Sequence, residues 1–86
     1  MLARNRYEVA AEVRRLISET LAVALEDVSE ATLIVEELRA TSMDIVTLAM
    51  TLDEFFEIEF DLSALPNSNV AVSWIVDYIY DRMESK

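Results

Sequence analysis

The fold is decided by residues 42–56, which read SMDIVTLAMTLDEFF. At about 100° per residue, the rotation of an α-helix, the apolar side chains of this stretch form two stripes on separate sides. The first stripe comprises Ile45, Leu48, Ala49, Leu52 and Phe56, and the second stripe comprises Met43, Val46 and Met50. A helix with two apolar sides either lies in the middle of a bundle or presents one side to a partner. The pattern alone leaves both possibilities open, although a chain of 86 residues has few helices to cover both sides.

Ser42 lies where this predicted helix begins. The hydroxyl of Thr41 or of Ser42 is of the kind that caps a helix N-terminus. Ser42 is therefore either a simple cap or a point to which another group is attached. The chain contains no histidine and no cysteine, so Ser42 has no partner for a hydrolytic triad.

Upstream, apolar residues recur at helical spacing from Arg6 to Ala24 and predict a first helix with one buried face. Its apolar positions are Val9, Val13, Leu16, Ile17, Leu21 and Ala24. Between Leu25 and Thr41 the periodicity is lost, and residues 33–35 are compatible with a strand or with short helical turns. The residues of this segment that we expect in the core are Val28, Ile34, Val35 and Leu38. A connection of this length is uncommon and is often functional.

Downstream, residues 55–60 read FFEIEF, with apolar and acidic side chains in alternation. No second clear strand is available to pair with them, so we interpret them as a helix end that runs into an extended connector. Residues 61–65 are expected to form a short helix or turn that stops at Pro66. A last helix is predicted from Val72 to about Glu84, with Ser68 or Asn69 as its cap. Its apolar positions are Val72, Ile75, Val76, Ile79 and Met83, and its aromatic residues Trp74, Tyr78 and Tyr80 are expected at the edge of the core.

The composition is that of a small acidic helical protein without catalytic machinery. Seventeen acidic and seven basic residues give a net charge of −10, which repels nucleic acid and anionic membranes and attracts basic protein surfaces. The absence of histidine, cysteine and glycine excludes disulfides, the usual zinc ligands, histidine acid–base catalysis and glycine-rich phosphate loops. No apolar run approaches the ~20 residues that span a bilayer. We expect one domain, residues 1–86, in the cytoplasm, with no enzymatic activity and no metal site.

Residues 13–48, VRRLISETLAVALEDVSEATLIVEELRATSMDIVTL, resemble the front half of an acyl carrier protein. The family pattern reads V-x-x-I-I-x-E-x-L-x-V, then E-E/D-V, then E-D-L-G-x-D-S-L-D, and it aligns here without a gap. The matching positions are Val13, Leu16, Ile17, Glu19, Leu21, Val23, Glu26, Asp27, Val28, Glu36, Glu37, Leu38, Ser42, Met43 and Asp44. FFEIEF at 55–60 and IVDYI at 75–79 resemble later parts of the family. The resemblance implies an all-α four-helix bundle with three main helices, a short third helix and a long connection between helices 1 and 2.

The resemblance also implies a function. In this family the serine bears a 4′-phosphopantetheine arm, which a phosphopantetheinyl transferase moves from coenzyme A and whose thiol holds an acyl group as a thioester. The implied attachment residue is Ser42, and the other implied partners are acyl-transferring or condensing enzymes of lipid or secondary-metabolite synthesis with basic docking patches. The implied partner-binding residues are Met43, Asp44, Val46, Met50, Asp53 and Glu54. The implied acyl-chain core is Ile45, Leu48, Leu52, Ile58 and Ile79. We expect a monomer that neither binds nucleic acid nor inserts stably into a membrane.

The sequence departs from the family pattern just before the serine. The family's Gly–x–Asp is Arg39–Ala40–Thr41 here, and Thr47 and Phe55 replace two glutamates of the following helix. Thr41 can cap the helix but carries no charge, and Arg39 places a positive charge in a normally acidic stretch. These departures favour a specialised carrier over the housekeeping carrier of fatty acid synthesis. The alternatives left open are an unmodified carrier-like domain that only binds proteins, a D-alanyl or peptidyl carrier of the same fold, and an unrelated acidic adaptor.

Overall fold

The computed structural model describes residues 5–84 as three α-helices joined by irregular segments. Helix α1 spans Arg6–Leu21, α2 spans Ser42–Phe56 and α3 spans Val72–Glu84. Two single turns of 3-10 helix lie in the connections, η1 at Leu25–Asp27 and η2 at Leu62–Ala64. The predicted all-α class and the long connection between the first two helices are confirmed, and η2 is the short third helix of the bundle.

Helix α1 is shorter than its apolar pattern predicts. Its first turn is capped by the side chain of Asn5. It ends at Leu21 because Ala22 adopts the left-handed conformation (φ 56°, ψ 45°) and donates its N–H to the Ser18 carbonyl. The predicted end at Ala24 is therefore wrong, and Ala24 is exposed instead of lying on the buried face. A chain without glycine must use another residue for this helix-ending conformation, and the apolar pattern does not reveal which one.

The connection between α1 and α2 is held against the residues that precede α3. An isolated antiparallel bridge joins Leu33 and Ala71, and the N–H of Ile34 donates to the carbonyl of Val70 at 3.1 Å. Residues 33–35 therefore supply one bridging residue followed by a turn, so each of the two predicted possibilities is partly correct. Of the residues expected in the core, Val28, Ile34 and Leu38 are buried and Val35 is half-buried against them.

Asn69 ties the loop before α3 to the same connection. Its side-chain oxygen accepts hydrogen bonds from the N–H groups of Val35 at 3.1 Å and Glu36 at 2.9 Å. Because α3 begins at Val72, Ser68 and Asn69 lie too far upstream to cap it, and that prediction is wrong. The Asn69 side chain instead accepts a hydrogen bond from Val35, which is 34 positions away in the sequence, and local capping rules cannot predict such a partner.

The core forms where α1 lies against both α2 and α3. Its buried helical residues include Val9, Val13, Leu16 and Ile17 from α1, Leu48, Leu52 and Phe56 from α2, and Val72, Ile75, Val76 and Ile79 from α3. Helix α2 ends where Glu57 adopts the left-handed conformation (φ 55°). Residues 57–61 form an irregular connector and not a strand, and Ile58 in this connector is buried. Trp74 and Tyr80 are half-buried and pack against the core, which confirms their predicted place. Tyr78 is also half-buried, and its ring contacts the rings of Phe60 and Trp74.

Candidate functional site

Ser42 is the first residue of α2, and it is exposed. Thr41 holds the capping position: its hydroxyl accepts a hydrogen bond from the Asp44 N–H at 3.1 Å, and the Asp44 carboxylate accepts one from the Thr41 N–H at 3.0 Å. This reciprocal pair is a capping box, which holds the first turn of the helix in place. The cap is therefore Thr41 and not Ser42, whose hydroxyl makes no hydrogen bond within residues 5–84 and is free for chemistry.

The backbone around Ser42 offers hydrogen-bond donors to an anion. The N–H groups of Ser42 and Met43 have no acceptor among the described residues, as is usual in the first turn of a helix. Helix α2 is 15 residues long, so its N-terminus also carries the positive end of a helix dipole. A phosphate ester on the Ser42 oxygen would lie close to these free N–H groups and to the positive end of the dipole, at a position open to solvent.

The two apolar stripes of α2 lie in different surroundings. The exposed fractions of Met43, Val46 and Met50 are 76%, 45% and 61%, and we call these three residues the outer stripe. On the other side of the helix, Leu48 and Leu52 are 3% and 0% exposed. Within residues 5–84, the first stripe therefore packs in the core while the outer stripe faces solvent.

A surface depression of about 290 Å³ lies along the outer stripe. Its lining residues are Val46, Ala49, Met50, Asp53, Glu54, Phe60 and Leu62. Four of the six predicted partner-binding residues thus come together, whereas Met43 and Asp44 lie outside the depression and nearer to Ser42. The Asp53 carboxylate also accepts a hydrogen bond from the Phe60 N–H at 3.2 Å, which joins α2 to the connector. The sequence reasoning missed Phe60 and Leu62 because their place beside α2 depends on the path of that connector.

A family model and several known proteins are similar to this chain. A family model described as "Phosphopantetheine attachment site" matches residues 11–79, a span that includes Ser42. An acyl carrier protein of Thermotoga maritima is 32% identical over 79 residues, which are 92% of this chain and 96% of the relative. An acyl carrier protein of Campylobacter hominis is 36% identical over 83 residues, which are 92% of this chain and 99% of the relative. An acyl carrier protein of Campylobacter fetus is 38% identical over 72 residues, which are 79% of this chain and 87% of the relative. The chain belongs to the acyl carrier protein family.

Membership in this family defines the general activity. The acyl carrier protein uses covalently attached 4′-phosphopantetheine to carry acyl groups, and it is a carrier and not a catalyst. It works with transferases and with synthesis enzymes, and fatty acid biosynthesis is the usual process that such carriers serve. None of the helices in the described part of the chain has the length and apolar character to cross a membrane. The described residues also contain no cluster of three or more acidic side chains that could hold a metal ion.

The core side of α2 in this acyl carrier protein contains a void of about 10 Å³, the space of about one water molecule. Of the predicted acyl-chain residues, Ile45, Leu48 and Leu52 line this void, whereas Ile58 and Ile79 are buried but lie outside its lining. The other lining residues are Ile34, Ala49, Phe60, Leu62, Leu65 and Ile75. Burial of an acyl chain here would therefore require α2 and residues 60–65 to move apart.

Phe55, which stands where the family pattern has a glutamate, belongs to the contact between α1 and α2. The guanidinium carbon of Arg15 lies 5.4 Å from the centroid of the Phe55 ring, a cation–π distance. Arg15 is itself held by ion pairs to Glu12 at 2.7 Å and Glu19 at 2.9 Å. Position 55 thus contributes to packing between α1 and α2, and the surface of the carrier has one acidic group fewer than the family pattern.

Proposed function

We propose that this acyl carrier protein bears its phosphopantetheine arm on Ser42. The proposal is carried by the free, exposed hydroxyl at the first position of α2, within the span that the attachment-site model matches. In the attachment, the Ser42 oxygen forms a bond to the coenzyme A phosphorus that bears pantetheine. The bond from that phosphorus to the nucleotide part breaks, and a base of the transferase takes the hydroxyl proton. The terminal thiol of the arm supplies thioester chemistry to a chain that has no cysteine.

The surroundings of Ser42 suit a phosphodiester. The unpaired N–H groups of Ser42 and Met43 and the helix dipole favour the negative charge of the ester. The capping box of Thr41 and Asp44 uses neither the Ser42 hydroxyl nor these N–H groups, so the helix end stays capped after modification.

The outer stripe of α2 is our proposed docking surface for partner enzymes. Its apolar side chains are exposed in the free protein and would serve as anchors. The carboxylates of Asp44, Asp53 and Glu54 lie beside it and would attract partner surfaces that carry basic patches. The net charge of −10 acts in the same direction at longer range.

The core side of α2 is where we propose that an attached acyl chain is sheltered, between Ile45, Leu48 and Leu52 and the connector. Ile58 and Ile79 would form the buried wall behind this region. The single-domain organisation, monomeric state, cytoplasmic location and specialised role expected from the sequence are part of the same proposal. Family membership favours this carrier role over an unmodified interaction module.

Intact mass spectrometry tests the attachment residue. Incubation with coenzyme A and a broad-specificity phosphopantetheinyl transferase should add the mass of one arm, and Ser42→Ala should abolish the increase. Ser68→Ala is the matched control because Ser68 is an exposed loop serine, and this variant should be modified like the wild type. Modification of Ser42→Ala, or a wild type that stays inert with its own transferase, would contradict the proposal.

A further inference from the structure

Arg39 is the one arginine of residues 5–84 whose side chain has no partner in that part of the chain. The others, Arg6, Arg14, Arg15 and Arg82, each make an ion pair, a hydrogen bond or a ring contact. Arg39 is exposed, and it lies three positions before Ser42. In a chain with seventeen acidic and seven basic residues, this guanidinium is a positive charge that no carboxylate of residues 5–84 neutralises, so it is available to an added anion.

The carboxylates closest to Arg39 in the sequence are engaged elsewhere. Glu37 accepts a hydrogen bond from the Leu33 N–H at 3.0 Å, and Glu36 accepts one from the Asn69 side-chain amide at 3.5 Å. Asp44, on the other side of Ser42, is held by the capping box. Each of these acids therefore fixes another part of the structure, and none of them contacts Arg39.

The start of the segment from Arg39 to Ser42 is held by two backbone hydrogen bonds to the turn that precedes it. The Arg39 N–H donates to the Val35 carbonyl at 2.9 Å, and the N–H of the buried Ala40 donates to the Ile34 carbonyl at 3.0 Å. Three peptide units then separate the Cα atoms of Arg39 and Ser42, which places them at most about 11 Å apart. The side chain of Arg39 and a phosphodiester on Ser42 would together be long enough to bridge this distance.

We propose that Arg39 is a positioning residue that pairs with the phosphodiester of the arm on Ser42. The inference rests on the proposed attachment at Ser42. The guanidinium presents two parallel N–H donors to two phosphate oxygens, a geometry that a lysine ammonium does not reproduce. Paired in this way, the root of the arm is held at the N-terminus of α2, and the added negative charge is neutralised within the carrier. The charge at position 39 is thus used after modification and not in the unmodified protein.

Phosphorus NMR and melting curves of the modified and unmodified protein test this pairing. The ³¹P resonance of modified wild type should differ from that of modified Arg39→Gln and should match that of Arg82→Gln, a control that removes an arginine from α3. Modification should raise the Tm of the wild type by about 2–6 °C more than that of Arg39→Gln at low salt. This excess should disappear at about 1 M NaCl, where the Debye length is about 3 Å. Any effect of Arg39→Gln on the fold itself cancels, because each variant is compared with its own unmodified form.

Arg39→Lys separates bidentate pairing from charge alone. It should recover less than the full wild-type Tm difference and should not restore the wild-type ³¹P position. If modified wild type and modified Arg39→Gln have the same ³¹P resonance and the same Tm increase at low salt, the pairing is refuted while attachment at Ser42 stands. If the wild type gains no arm in the mass measurement, the proposed function fails and this inference falls with it.

Discussion

Replacing Leu52 by alanine should destabilise the protein far more than replacing Met50 by serine. Leu52 is 0% exposed, whereas Met50, on the outer stripe of the same helix, is 61% exposed. A buried leucine that is truncated to alanine loses its burial and leaves a cavity, which together cost about 2–5 kcal/mol. Such a cost is a large fraction of the ~5–15 kcal/mol that stabilises a typical domain. At about 4–8 °C per kcal/mol, even its low end lowers the Tm by about 8–16 °C.

The outer stripe should respond in the opposite way. Exposed substitutions usually change stability by no more than about 0.5 kcal/mol, so Met50→Ser should shift the Tm by less than about 4 °C. Val46→Thr is a second outer-stripe variant, because it keeps the shape of the side chain at a position that is 45% exposed. Both variants should weaken partner binding or acyl transfer, since apolar anchors at the centre of an interface contribute most to affinity. Leu48→Ala joins Leu52→Ala as the core pair.

Thermal melts followed by circular dichroism, and transfer assays with one partner enzyme, separate the two groups of variants. The assays are run below the melting range of the core variants, so that a loss of transfer is not a loss of folded protein. If Val46→Thr and Met50→Ser are as destabilising as Leu48→Ala and Leu52→Ala, both stripes belong to the core and the assignment of the outer stripe is wrong. If they leave stability and transfer unchanged, the outer stripe is exposed but is not the docking surface.

Three further predictions concern single residues. Thr41→Asp should speed modification by a general phosphopantetheinyl transferase, because it restores the acidic residue that the family has beside the serine, and aspartate can still cap the helix. Mass spectrometry at successive times measures the rate. An equal or slower rate would show that Thr41 is not the residue that limits modification. Arg39→Gly should raise the free energy of unfolding of the unmodified protein by about 0.5–1 kcal/mol, because the backbone of Arg39 is left-handed (φ 62°) and glycine adopts this conformation without strain. A urea titration measures the change, and a loss of stability would contradict the prediction. The Ser63 hydroxyl and N–H lower the pKa of Asp61 below its ordinary value of 3.8, so their contribution to stability is present above about pH 4 and is lost as the pH falls through the lower folded pKa. Ser63→Ala should therefore lower the Tm slightly at neutral pH, and this difference should shrink as the pH falls below about 4. A Tm difference that is independent of pH would show that the Asp61 carboxylate is not its source.

The sequence by itself determined the bounds of α2, the last helix, most of the buried positions of α1 and the family. Apolar spacing is a local property of the chain, and for this reason the predicted bounds of α2, Ser42–Phe56, and the predicted last helix from Val72 to about Glu84 agree with the structure. The contiguous motif around Ser42 needed no tertiary information either, because its residues are neighbours in the chain. The same spacing placed Leu48 and Leu52 together on one side, and both are buried.

Only the tertiary structure decided which side of α2 is covered. The residues of the outer stripe are as apolar as those of the first stripe. Which of the two stripes is exposed depends on where α1, α3 and the connector lie. The end of α1 at Leu21 was not predictable from the sequence either, because without glycine several residues could have taken the left-handed conformation that Ala22 adopts. Asn69 is a suitable cap by local rules, yet it bonds to Val35 and Glu36 because the path of the chain brings them within reach. Periodicity describes what an element can bury, whereas burial and long-range hydrogen bonds depend on which neighbours it meets in the folded chain.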